Sequence, residues 1–481
     1  MTTTFPDTPV FRGYAAPVRI ETQLQDLEVV GTIPPELNGS YIRNSADHAY
    51  PPLFADDIFL NGDGMLHKVR IEHGRAGLTT RYVETEKLKL ERAAHRALFG
   101  KYRNMFTDDP SVAGKERTTA NTSMVWHGGK LLALKEASKP MEIDPETLAT
   151  IGMYDFNGAL TSDTFTAHPK IDPRTGEMVA YGYFTNTVAD NIIRLFFVDP
   201  DGTLTRTEAF EAPYASMVHD CMLSEHYIIF TICPMVCDWD RVKAGEPFFH
   251  WDDTLPTKVG VVPREAGGAA KVRWFTAPKP VMETHTFNAW EEGDLLHLEH
   301  FITQTGWLSQ FPDINNPGAR EQPPFAYRWT LDLASEADSF TQERIFEHIG
   351  EMPMIDLRFA THKTRHFWFG TSNTELGPML PFGPKGPPFT CLGHFDAVTG
   401  ALDYYYAGPD SSPEEPIFVP RHASADEGDG WLITMVGRRA ENRTDCVILD
   451  ARNLKGGPVA TIKFPCRVHE GFHGIWLPAD A

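Results

Sequence analysis

FFVDPDGTLTRTEAF, residues 196–210, and GHFDAVTGALDYYYAG, residues 393–408, share one layout: an apolar run ending in Asp, a turn, and a second run. The runs are rich in β-branched and aromatic residues and too short for helices, so each reads as a strand of a hairpin. The layout recurs in MEIDPETLATIGMYDF (141–156), YRWTLDLASEADSFTQERIF (327–346) and VILDARNLKGGPVATIKFP (447–465). The anchoring residues Asp144, Asp199, Asp332, Asp396 and Asp450 are separated by 55, 133, 64 and 54 residues. The gap of 133 accommodates one unit that lacks the Asp. D-x-x-T-G alone is only a common turn, but a strand-built unit every ~55–65 residues predicts an all-β fold, a β-propeller.

The rest of the chain agrees. NIIRLFFVD, HYIIFTI, DLLHLEHF, RHFWFG, GWLITMV and DCVILD are short apolar runs bounded by turn residues, and each is expected to be a strand. One segment differs: from Glu84 to Met105, helix formers with apolar residues at helical spacing predict a helix. Gly and Pro punctuate all 481 residues without a low-complexity linker, so residues 1–481 are expected to form one propeller domain. Cap segments, including about 84–110, are expected as insertions in it. With 44 Lys+Arg against 65 Asp+Glu, the net charge of −21 argues against nucleic acid or an anionic membrane as partner. Six scattered cysteines form no disulfide framework; Cys233 and Cys237 make a C-x3-C pair with no second pair to complete a zinc site. The N-terminus lacks the basic and apolar regions of a signal peptide, and no apolar run reaches the ~18 residues of a spanning helix. A soluble, cytoplasmic protein is expected.

Four of the 19 histidines sit in unusual settings: His168 in TAHPKID, His219 in SMVHDC, His285 in ETHTFNAW and His473 in EGFHGIW. Separated by 51, 66 and 188 residues, each can come from a different blade, and neutral imidazoles suit a transition metal. Two decoys fall away. HEGFH (469–473) matches the H-E-x-x-H pattern of zinc proteases, which needs a helix. Pro465, Gly471 and Gly474 oppose one here, and too little chain follows for a distal ligand. His297 and His300 lie three apart on an expected strand and so point to opposite faces.

Together these settings resemble the carotenoid cleavage oxygenase family, and within it the bacterial lignostilbene dioxygenases. The resemblance runs through VVGTIPPELNGSYIRN (29–44), FLNGDGMLHKVRI (59–71), LALKEASKPMEIDPETL, TAHPKIDPRTGE, MVHDC, HTFNAWEEGD, GEMPMIDLRF, EEPIFVPR and GFHGIWLP. One departure is RNSADHAYPP, where many relatives have R-N-G-P-N-P. The resemblance implies a seven-bladed propeller, a helical cap over one face, and one Fe(II) held by His168, His219, His285 and His473. It implies Glu136, Glu351 and Glu415 behind the histidines, orienting the rings and offsetting the metal's charge. Two open positions on the iron would serve O2. Read alone, Glu351 and Glu415 would be solvated surface carboxylates.

Lys135, directly before Glu136, separates subgroups. An apolar polyene tunnel would not tolerate an unpaired ammonium. Lignostilbene-type members are similar to this chain in having such a Lys, with Tyr102 and Phe59 at matching positions. By that resemblance Lys135 and Tyr102 bind a para-hydroxyl and favour its phenolate, and Phe59 stacks on the ring. A solvated edge-strand lysine is the plain alternative for Lys135, and a snorkelling cap residue for Tyr102. The expected activity is cleavage of the central C=C bond of a 4-hydroxystilbene with O2 to two aromatic aldehydes. The alternatives are an apocarotenoid oxygenase and a metal-free propeller that binds proteins. The resemblance also admits a homodimer.

Overall fold

The computed structural model describes residues 4–306, 310–318, 322–381, 383–384, 386 and 388–480. The N-terminal stretch read above begins with residues 1–3, which lie outside them. Strands dominate, with two helices among the described residues, Glu86–Ala94 and Trp239–Lys243. Among the described residues, seven sheets of four or more strands follow one another along the chain, a seven-bladed β-propeller. The residues fall into two compact units, 1–154 with 368–481, and 155–367.

In the second unit, three blades repeat one plan: four antiparallel strands in chain order. They are Lys170–Ile171, Met178–Tyr183, Ile192–Val198 and Leu204–Glu211; then Met222–Leu223, Tyr227–Ile232, Lys258–Pro263 and Arg273–Thr276; then Met282–Glu292, Leu295–Thr303, Phe325–Asp332 and Thr341–Ile349. Met222, Ile229, Val261, Ala289, Leu298 and Trp329, among others, form one buried apolar cluster between the second and third of these blades.

In the first unit the two ends of the chain close the ring by hydrogen bonding. The last strand, Gly471–Pro478, pairs antiparallel with Gly39–Asp47 and completes the sheet of Asp63–Glu72, Arg75–Tyr82 and Thr22–Leu24. Glu28–Gly31 in turn adds to Pro458–Lys463, the outer strand of the last blade. Each terminus thus covers an edge that would otherwise offer unpaired backbone groups.

All five anchoring aspartates sit at the turn between the last two strands of their blades. In four of them the reason is local: the carboxylate accepts the N–H two residues on, from Glu146 to Asp144 (3.1 Å), Ala334 to Asp332 (3.0 Å), Val398 to Asp396 (2.9 Å) and Arg452 to Asp450 (3.0 Å). The 133-residue gap holds the blade of Met222–Thr276, where Arg264 follows the third strand in place of Asp. All six strands expected from short apolar runs are present: Ile192–Val198, Tyr227–Ile232, Leu295–Thr303, His366–Thr371, Gly430–Arg438 and Arg443–Asp450.

The helix expected over Glu84–Met105 is shorter. It spans Glu86–Ala94, begins at Thr85, whose side chain accepts the Leu88 N–H, and stops at His95 in the left-handed region (φ 54°). The cause lies in Glu91. Its carboxylate accepts the N–H groups of Leu98 (2.9 Å) and Phe99 (3.1 Å), folding the next residues back instead of letting them continue the spiral. The buried Lys87 ammonium ties the same Glu91 (2.9 Å) to Asp63 (2.7 Å). Lys87→Met leaves two buried carboxylates without their cation and should cost about 3–5 kcal/mol, read as a lowered midpoint in urea unfolding.

Candidate metal centre and active site

Three of the four singled-out histidines sit at or just before the first strands of successive blades. His168 precedes Lys170–Ile171, His219 precedes Met222–Leu223, and His285 lies within Met282–Glu292. First strands begin the sheets, so side chains there can converge. The Nε2 atoms of His219 and His285 stand 3.1 Å apart, and the rings of His168, His219 and His285 meet edge to face with centroids 4.6 to 5.4 Å apart. His473 lies in Gly471–Pro478, the first strand of the blade closed by the C-terminus. One ligand nitrogen from each of His168, His219, His285 and His473 lies within 4.8 Å of all the others. Four imidazole nitrogens of this kind suit a transition-metal ion.

The far side of two rings is held by carboxylates. Glu351 takes Nδ1 of His285 at 2.6 Å, and Glu415 takes Nδ1 of His473 at 2.7 Å. Both glutamates are buried, so neither is a surface carboxylate. Burial pushes each carboxyl up, but the facing imidazole and nearby N–H donors outweigh it and hold both below the usual carboxylate range. Accepting at Nδ1 fixes the tautomer that leaves the Nε2 lone pair free for a metal. Glu136 is likewise buried, just after the strand Lys130–Leu134.

Two groups of residues behind the ligands escaped the sequence reading. Asp220, next to His219, accepts the N–H and hydroxyl of Thr286, next to His285, at 3.0 and 2.8 Å. Lys170, two residues after His168, completes an ion pair to Asp220 at 2.8 Å. One cluster therefore stitches the segments of His168, His219 and His285 together. The only sequence signal is position, since each residue lies one or two places from a histidine. In the first unit Arg43 does a similar service for His473. Its guanidinium donates to the Phe472 carbonyl (2.7 Å) and pairs with Glu414 (2.7 Å) and Glu415 (3.7 Å). A Cβ at Gly471 would stand 2.0 Å from Arg43 Nε, so only glycine fits beside that guanidinium.

Lys135, Tyr102 and Phe59 are all buried in the first unit. Lys135 Nζ stands 5.1 Å from the centroid of the Tyr102 ring and donates to Asn121 Oδ1 (3.1 Å) and the Leu60 carbonyl (3.3 Å). It is not a solvated edge-strand lysine. Burial drives its amine down to about 7; Glu136 works against that fall and Arg103 with it. Burial also holds the Tyr102 hydroxyl well above the ordinary phenol range, with Arg103 opposing and Glu136 assisting. Phe59 packs beside Phe472, centroids 5.9 Å apart.

Residues 15–478 match the family described as retinal pigment epithelial membrane protein. The chain is 43% identical to lignostilbene-alpha,beta-dioxygenase isozyme III of Sphingomonas paucimobilis, over 99% of this chain and 98% of that one. The chain belongs to the carotenoid cleavage oxygenase family. The crystal structure of Pseudomonas brassicacearum lignostilbene dioxygenase superposes with a TM-score of 0.93 at 38% identity, covering 99% of this chain and 100% of that chain. Isoeugenol monooxygenase of Pseudomonas nitroreducens is 39% identical, over 98% of each chain.

Within this carotenoid cleavage oxygenase fold both decoys behave as expected. Gly471–Pro478 is a strand, and His469 precedes it and bonds the Glu470 carbonyl through Nδ1 (3.2 Å). His297 stacks on Trp290 and bonds Thr330 (3.0 Å), whereas His300 bonds the buried Glu283. Cys221, Cys233, Cys391, Cys446 and Cys466 are free, and burial raises the Cys233 thiol far above its ordinary value, as suits an inert thiol. No helix among the described residues is long and apolar enough to cross a membrane. His219→Ala should lose most of the bound metal, while His469→Ala keeps it, as elemental analysis of the purified variants will read. Glu351→Gln should weaken metal binding or turnover by about 10–100-fold.

Proposed function

We propose that this chain is an Fe(II)-dependent dioxygenase that cleaves the central double bond of a 4-hydroxystilbene with O2 to two aromatic aldehydes. The observation that carries the reading is the buried Lys135 amine beside Tyr102 and a turn bearing Phe59. Such an amine is costly in a wall that greets a polyene and useful in one that greets a phenol. Similarity to a lignostilbene dioxygenase supports the same substrate class. The 39% identity to an isoeugenol monooxygenase favours one second reading, a propenylphenol, which carries the same para-hydroxyl conjugated to an alkene.

His168, His219, His285 and His473 would hold the iron, with Glu136, Glu351 and Glu415 behind them. Bound there, Fe(II) supplies the activation of O2. The chain's own residues prepare the alkene. Neutral Lys135 takes the para-hydroxyl proton, and the Tyr102 O–H, kept protonated by its burial, donates to the phenolate oxygen. The phenolate's electrons then conjugate through the ring to the double bond, enriching it for attack, while Phe59 holds the ring by stacking. Both atoms of O2 end on the two aldehyde carbons, one on each.

A single propeller domain over 1–481, with about 84–110 as cap, completes the reading; it is supported by strand His366–Thr371, which runs unbroken across the boundary near 367. Cytoplasmic residence is supported by the free thiols of Cys221, Cys233, Cys391, Cys446 and Cys466. A homodimer rests on the family resemblance alone, and sedimentation reads it directly.

A panel of hydroxystilbenes, propenylphenols and apocarotenoids tests the substrate class; cleavage of the polyene alone would overturn it, and absence of iron would leave the metal-free binding module. Lys135→Met should keep iron and lose turnover. A para-methylated stilbene should scarcely be cleaved, and Lys135→Met should add little further loss on it, because both changes disable one step. For pH, the productive pair holds one proton in total. Lys135 is protonated below about 7 and cannot accept, so kcat/KM should rise with pH through about 7. It should fall again near ~10, where the free phenol ionises. Lys135→Met should lack the lower limb.

A further inference from the structure

Asn121 lies wholly buried in the segment before the strand Ser123–His127, and every polar atom of its amide has a partner. Its Nδ2 donates to the carbonyls of Leu60 (3.0 Å) and Gly62 (2.7 Å). Its Oδ1 accepts from Lys135 Nζ (3.1 Å) and the Thr122 hydroxyl (3.0 Å). The amide cannot be turned over, since that would set its NH2 against the Lys135 nitrogen and its oxygen against two carbonyls. Its neighbour Thr122 accepts the backbone N–H of His473 through its carbonyl (3.3 Å).

The Lys135 nitrogen faces two acceptors, Asn121 Oδ1 and the Leu60 carbonyl. A neutral primary amine has two N–H bonds and one lone pair. Two fixed carbonyl acceptors therefore use both donors and leave the lone pair with a single direction. The Leu60 carbonyl belongs to the 3-10 turn Phe59–Asn61, and Asn121 holds that turn as well. One side chain thus sets the proton acceptor and the aromatic wall together.

We propose that Asn121 is a positioning residue for phenol activation: with the Leu60 carbonyl it takes both N–H bonds of neutral Lys135 and aims the lone pair at the substrate's para-hydroxyl, while its NH2 fixes the turn that presents Phe59. In the step the phenolic O–H bond breaks and its proton forms a third N–H bond on Lys135. The electron pair stays on oxygen as phenolate, and the proton returns to that oxygen as the hydroxy-aldehyde leaves. The inference rests on the reading of Lys135 as proton acceptor given above. A substrate lacking an acidic hydroxyl meets a lone pair with nothing to bind, so the same geometry selects phenols over polyenes.

The test uses the iron-loaded enzyme, with iron content and thermal midpoint recorded for each variant. Asn121→Asp keeps the acceptor, loses both donors and sets a carboxylate beside the amine. The lower limb of its kcat/KM profile should move up by about 1–3 pH units, as an adjacent opposite charge does. Asn121→Ala should lower kcat by about 10–100-fold through misorientation, with iron retained and KM less affected. On the para-methylated stilbene it should lose nothing beyond the wild type's residual rate. Asn121→Asp decides the matter if Asn121→Ala fails to fold. A lower limb unmoved in Asn121→Asp, or an Asn121→Ala loss equal for phenol and methyl ether, would overturn the positioning role. Lys135→Met with wild-type turnover would instead overturn the reading of Lys135 beneath it, and Asn121 variants unchanged in an enzyme that Lys135→Met disables would overturn this inference alone.

Discussion

Everything in the first unit hangs on the pairing of Gly471–Pro478 with Gly39–Asp47, in which the last strand of the chain becomes the first of a blade. Backbone hydrogen bonds hold it, and the Arg43 guanidinium guards its register. That guanidinium is fully buried and reaches Tyr41, Glu414, Glu415 and the Phe472 carbonyl. A buried cation is tolerated only where such partners surround it, so a slip of the strand would leave charges without partners. Side chains alternate along a strand, and a one-residue slip would also turn His473 to the other face. Closure of the ring and placement of this histidine are therefore one event.

The remaining three histidines illustrate a different solution. Each comes from a separate blade, and the half-buried Lys170, its partner Asp220 and Thr286 lie one or two places from the three in turn and bind one another. Burial alone would raise the Asp220 carboxyl, but Lys170 and its other partners hold it below the usual range, so the pair stays ionic. These histidines are thus restrained from the strand side, and His285, like His473, also from Nδ1 by a carboxylate.

Lys135 follows the opposite logic. Nothing neutralises it closely enough to offset its burial, and its amine falls to about 7. Its neighbour Tyr102 moves upward for the same physical reason, since burial opposes whichever form is charged. A neutral acceptor and a neutral donor side by side are what a phenol needs in order to ionise between them. In the proposed reaction the low-dielectric wall is thereby an active part of the site.

Local rules were legible in the sequence. The aspartates that end the third strands announce the hairpins because an Asx turn needs only its own next residues. The short apolar runs became strands, and HEGFH was denied a helix by Gly471 within it and Gly474 after it. The four histidines were found by their settings and by resemblance, since spacings of 51, 66 and 188 residues specify no geometry. What the sequence could not supply were effects between segments far apart in the chain. The helix ends at His95 because Glu91 is drawn to amides beyond it and to Lys87, which itself answers to Asp63. Asn121 and Arg43 carry no local signal and Asp220 only its place beside His219, as each acts through partners brought close only by folding. The sequence determined the strand repeat and the donor chemistry, because both depend on neighbours along the chain. The tertiary structure decided which nitrogens converge and how far one amine is stripped of water, because distance and desolvation exist only once the blades are packed.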